Sequence, residues 1–159
     1  MSSSLRNVKL WVSAWVPVLI GIAVIIAEST ETFGANHTAG PLRWFLTLIY
    51  GPISNSAFDK IHFLIRKSGH FLGYGLIGLA WLRAWRMTYP RLPFASDAIL
   101  ALLGVGLMAS LDEWHQSFLP NRTSSPTDVL IDCCGATMLI LITYLWLRFL
   151  RPDRLESVA

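Results

Sequence analysis

"LWVSAWVPVLIGIAVIIA", residues 10–27, is a stretch with no charged side chain. As a helix it covers ~27 Å at 1.5 Å per residue, close to the ~30 Å hydrocarbon thickness of a bilayer. Arg6 and Lys9 precede it and "ESTETFG" follows it. A basic lead and an apolar run also describe a secretory signal, but this run is long for one. No small-x-small cleavage site separates it from the polar stretch. It reads as a retained anchor helix.

The rest of the chain agrees. With 53% hydrophobic and 14% charged residues in 159 positions, it is too apolar for an ordinary soluble domain. The fold expected is all-α: a polytopic helical membrane protein with about four transmembrane helices, plus an interfacial or re-entrant helix in the first outer loop. The spans fall at about 10–28, 68–86, 96–114 and 129–148, with the interfacial segment at about 42–66, in a single transmembrane domain over 1–159. The lipid bilayer is the first partner this implies. Basic residues lie beside apolar runs and form no nucleic-acid patch, which excludes DNA or RNA as a partner. Cys133 and Cys134 are adjacent inside an apolar run and read as small packing residues.

Between the first two spans, Gly34, Gly40, Pro41, Gly51 and Pro52 divide the chain into pieces. "RWFLTLIY" (43–50) is too short to span, and "FDKIHFLIR" (58–66) sets Phe58, Ile61 and Ile65 opposite Asp59 and Lys60, as a helix lying on the membrane surface would. The apolar runs 68–82 and 98–111 reach only ~21 to 23 Å, so to cross they must draw in polar flanks. Those flanks supply Lys67 and His70, then Asp112, Glu113 and His115; the last span carries Asp132 in its opening turns. If the spans alternate in direction, these ends share one side. The arginines 83, 86, 91, 148, 151 and 154, with Arg6 and Lys9, place both termini in the cytoplasm and the polar ends on the outer face.

Ionisable groups near hydrocarbon cost several kcal/mol unless paired or set around a wet cavity. Lys67, His70 and Tyr74 follow i, i+3, i+7, and Asp112, His115 and Gln116 follow i, i+3, i+4, so each set shares a helix face. Asp128 and Asp132 are one turn apart. In "NRTSSPTD" (121–128), Pro126 suits a first helical turn and Ser124 or Ser125 its cap, while Arg122 offers a fork to a carboxylate or an anionic ligand. Singly, each residue has a plain role: Lys67 and Arg66 snorkel, His70 packs, Asp128 caps, and Gly69, Gly73, Gly75 and Gly78 bring helices together. Their convergence on one membrane face is what argues for a site.

The segments "IRKSGHFLGYGLIGL" (65–79) and "LDEWHQSFLPNRTSSPTDVLIDCCGA" (111–136) resemble the VanZ-like membrane proteins: the first matches a Lys-x-x-His-Phe-x-x-Tyr signature, the second an Asp-Glu-x-x-Gln…Arg…Asp run. Gly73 stands where that family often has Glu, and Asp132 where it usually has Asn. The resemblance implies functional positions at Lys67, His70, Tyr74, Asp112, Glu113, Gln116, Arg122 and Asp128. It also implies a bacterial cytoplasmic-membrane protein of the cell envelope, linked to resistance against teicoplanin and related lipoglycopeptides.

Two functions follow. In one, His70, Asp112, Glu113 and His115 are acid–base catalysts acting on a lipid-linked or anionic envelope substrate, held by Lys67, Tyr74, Gln116, Arg122, Asp128 and Asp132. In the other, the same groups bind a lipid head group or glycopeptide-like ligand without catalysis. No His-Glu-x-x-His or similar tight motif is present, so neither a metal nor a cofactor is expected. Polar groups gathered at one end, with few at mid-depth, disfavour a transporter.

Overall fold

The computed structural model describes residues 3–30, 34–119 and 124–150, all built on five helices: α1 (Ser3–Glu28), α2 (Ala35–Tyr50), α3 (Asn55–Thr88), α4 (Phe94–Gln116) and α5 (Pro126–Leu150). Three are long and apolar enough to cross a membrane: Val8–Glu28 within α1, α4 and α5. Outward side chains such as Leu103 and Leu107 are 65% and 63% exposed. Hydrocarbon is the medium that suits such a surface.

The 42–66 stretch, expected to be one interfacial segment, belongs to two helices. Gly51 takes φ +78° and ends α2, and Pro52 cannot continue it. Ser54 then accepts the backbone N–H of Ala57 through its side chain and starts α3. Nothing between Asn55 and Thr88 breaks helical hydrogen bonding, so the amphipathic turns run straight into the second expected span.

α3 is the hub, packed most extensively on α5 and then on α1 and α4, with α2 touching it lightly. It runs parallel to α5 and antiparallel to α1 and α4, as contacts at both ends show. At Gly135 of α5, an added Cβ would stand 1.9 Å from the Phe71 carbonyl oxygen. At Gly78 of α3 it would stand 2.8 Å from the Ala136 Cβ. Small residues let these two backbones approach. Val105, Ala109, Tyr74, Ile77 and Ile25 close the core beside this seam.

The far end of α1 is clamped. Pro17 has no N–H for the Ser13 carbonyl four residues back. Arg83 of α3 fills the gap, its Nη1 donating to Ser13 O at 2.7 Å. Trp15 packs edge-on to Trp81 and Trp85 and donates its indole N–H to Thr88 Oγ1 at 3.0 Å. Restoring the missing N–H makes the brace redundant. We expect Arg83→Met to cost about 1–2 kcal/mol in the natural sequence and markedly less in a Pro17→Ala background, read from the unfolding midpoints of the four proteins in detergent.

A second buried charge was not foreseen. Asp97, fully buried in the first turn of α4, lies 3.6 Å from Arg86 Nη1. Its signal was there: a lone carboxylate just after Pro93, opposite an arginine already counted as a cytoplasmic marker.

Candidate functional site

The sequence positions converge at the opposite end from Arg86. Lys67 of α3 forms an ion pair with Asp128 in the first turn of α5. One turn further along both helices, His70 Nδ1 faces Asp132 Oδ1 at 3.5 Å. The next turn of α3 brings Tyr74, whose hydroxyl donates to Asp112 Oδ2 of α4 at 3.1 Å. The Tyr74 and His70 rings stack at 12° with centroids 6.3 Å apart. Asp132 is fully buried, and Asp112, Glu113 and Gln116 nearly so.

Two residues face elsewhere than their spacing suggested. His115, expected on one face with Asp112 and Gln116, turns to α1, where its Nδ1 and Ser29 Oγ are 2.9 Å apart. A step of three residues turns a helix through ~300°, a step of four through ~400°, so the two positions flank Asp112 on opposite sides. Glu113 turns toward α5. It accepts the Ser125 N–H at 2.8 Å, where the N-terminus of α5 carries a partial positive charge. Ser125 in turn accepts the Thr127 N–H at 3.2 Å through its hydroxyl, so this expected cap is present. Glu113→Ala is expected to cost about 1–2 kcal/mol of stability, measurable by thermal unfolding, while Glu113→Gln keeps an acceptor and most of it.

A cleft of about 380 Å³ opens between α1 and α3. Its polar end carries Glu28, Arg66, His70, Tyr74, Asp112 and Gln116, together with Ser29 and Thr38. Gly21, Val24, Ile25, Leu76 and Ile77 continue it as an apolar trough toward the middle of the helices. Lys67, Asp128, Asp132 and Glu113 stand behind or beside this wall. Arg122, expected to reach back as a fork, lies outside the described residues. Thr38 also meets His62 Nε2 at 2.9 Å, tying α2 to α3; burial and then Arg66 push the His62 pKa below its usual value.

The glycine strip divides. Gly75 and Gly78 pack on α5, as expected of small residues, but Gly69 and Gly73 meet nothing within 4 Å of an added Cβ and line the cleft. Their missing side chains leave cleft space open. Gly73→Ala should therefore leave stability unchanged or raise it by up to about 1 kcal/mol through helix propensity, while weakening any ligand held there. Thermal unfolding and ligand titration on one preparation separate the two effects.

Among the described residues, no group of three or more His, Cys, Asp or Glu side chains is arranged to hold a metal. His70, Tyr74 and Asp112 instead form a set of proton donors and acceptors on the cleft wall, with Asp132 behind His70. Ser29 had no sequence signal beyond its place just after an apolar run, and Thr38 had none.

Comparison with curated proteins finds no match, and none is found among solved structures. The model of the VanZ/LLP1 family matches residues 14–147, from the clamped half of α1 through the last turns of α5, and the chain belongs to that family.

Proposed function

We propose that this protein is a four-span envelope protein of the bacterial cytoplasmic membrane, a single domain with both termini inside, whose α1–α3 cleft faces outward and acts on an anionic, lipid-linked substrate. The carrying observation is the order of residues along the cleft. A polar end that holds His70 and the Tyr74–Asp112 pair passes directly into an apolar trough between two helices, the shape an amphiphile with one polar head requires. α3 serves as the second span because its polar groups pair with α4 and α5 instead of facing lipid.

His70 is the acid–base group. Its Nδ1 is buried against Asp132, which orients the ring so that its other nitrogen meets the cleft. Tyr74 and Asp112 form a second donor–acceptor pair, and Gln116 offers an amide to the head group. Arg66 lines the cleft and offers it a cation, and Lys67 stands behind the wall in its pair with Asp128. His115 and Glu113 support the site from its edges, through Ser29 and the start of α5. The envelope role includes a link to teicoplanin-type lipoglycopeptide resistance.

The test is turnover. Purified protein in liposomes, given polyprenyl phosphates or lipid-linked cell-wall precursors, should release a product seen by mass spectrometry. Binding of those lipids without any product favours the second reading, a non-catalytic binder of lipid head groups or glycopeptide-like molecules. That reading draws on Asp112 Oδ1 and Glu113 Oε1, buried and without a hydrogen-bond partner among the described residues.

A further inference from the structure

Asp112 is approached from two sides. On the other flank of α1, a second cavity of about 300 Å³ runs between α1 and α4. Ile22, Ile26, Met108 and Leu111 wall it, and Ser29, His115 and Asp112 close one end. Ile25, Ser29 and Asp112 belong to both cavities. The two helices that form this groove are among those apolar enough to cross a membrane, so hydrocarbon lies against its open side. Ile26 and Leu111, on its rim, are 63% and 52% exposed. Along both helices the lining passes from purely apolar to polar in the same direction, from Ile22 to Ser29 and from Met108 to His115.

We infer that the α1–α4 groove binds the hydrocarbon chain of the amphiphile whose head group reaches Asp112, and is its lateral route from the bilayer. The Ser29–His115 hydrogen bond is the latch across that route. This rests on reading the α1–α3 cleft as a head-group site. A charged head can cross into that cleft only where a polar path leaves the lipid, and the shared Ser29 and Asp112 form one. A chain lying in the groove stays in hydrocarbon while its first polar atom arrives at Asp112. The half of α1 that must yield lies beyond Pro17, where a helical hydrogen bond is already missing, and the other half is held by Arg83 and the tryptophans.

The experiment uses the full chain in liposomes with dodecyl phosphate carrying a mid-chain diazirine, and butyl phosphate as a competitor with the same head but a short chain. Illumination should label the segments 22–26 and 108–111, and butyl phosphate should suppress that labelling. Leu111→Trp and, separately, Ile22→Trp fill the groove and should lower it about tenfold, the equivalent of losing the burial of roughly two methylenes. Ser29→Ala should speed its onset. Labelling at Leu76 and Ile77 in place of the groove overturns the route while leaving the head-group site intact. Groove labelling indifferent to butyl phosphate overturns it too, because the groove then holds ordinary bilayer lipid. Absence of label from both segments does the same. Failure of the catalytic reading is separate from this: it is absence of turnover from polyprenyl substrates with the groove labelling and its suppression by butyl phosphate unchanged.

Discussion

Gly135→Ala is expected to destabilise the protein by about 3 kcal/mol or more, beyond ordinary overpacking. The new methyl group would fall 1.9 Å from the Phe71 carbonyl oxygen. A flexible side chain could swing aside; a backbone carbonyl inside α3 cannot without separating the helices. Separation would also pull His70 from Asp132 and Lys67 from Asp128, because those pairs bridge the same two helices. The control is Gly106→Ala in α4, where the added carbon meets only Cys133 Sγ at 3.8 Å and should be tolerated. Unfolding midpoints in one detergent compare the two directly. Equal midpoints would mean that the seam is not what holds α3 to α5.

The second large effect concerns turnover. His70→Gln should lower it by roughly 10²- to 10⁴-fold, the range for a positioned acid or base, with folding preserved because Gln retains polar capacity at a partly open position. Asp132→Asn keeps an oxygen toward His70 Nδ1 and should retain far more activity than Asp132→Leu, which leaves the ring without an orienting acceptor. A simple packing role for the pair predicts no separate effect on turnover: stability falls with both Asp132 substitutions, and turnover merely follows it. Measuring product formation and unfolding midpoint on the same samples distinguishes these outcomes.

Much of this arrangement was legible from the chain. Uncharged runs located α1, α4 and α5, and the spacing of Lys67, His70 and Tyr74 placed them on a shared helix face that meets α4 and α5. The shortness of the 68–82 and 98–111 runs correctly implied that polar flanks belong to the helices. Other features depended on which face met which neighbour, and a single sequence does not encode that choice. At 100° per residue, Gly69 and Gly73 lie nearly opposite Gly75 and Gly78, so the four could not all serve one contact. Only packing on α5 shows which pair seals a seam and which leaves a cleft. Glu113 and Asp97 illustrate the same limit: burial made both consequential, yet their partners, the start of α5 and Arg86, became visible only in three dimensions.

The length of α3 determines how far the molecule reaches. Its 34 residues extend ~51 Å, against ~30 Å of hydrocarbon. In the proposed four-span arrangement the surplus lies at the N-terminal end, because the other end is matched to α1 where Trp15 meets Thr88. The turn at 51–54 and the start of α3 beyond it, braced by Arg43 over the Phe58 ring, are in that arrangement the part most open to water-borne proteases or antibodies. On the proposed lipid route, His70 sits about four helical turns from that turn, shielded from large visitors and reached by molecules that arrive through lipid.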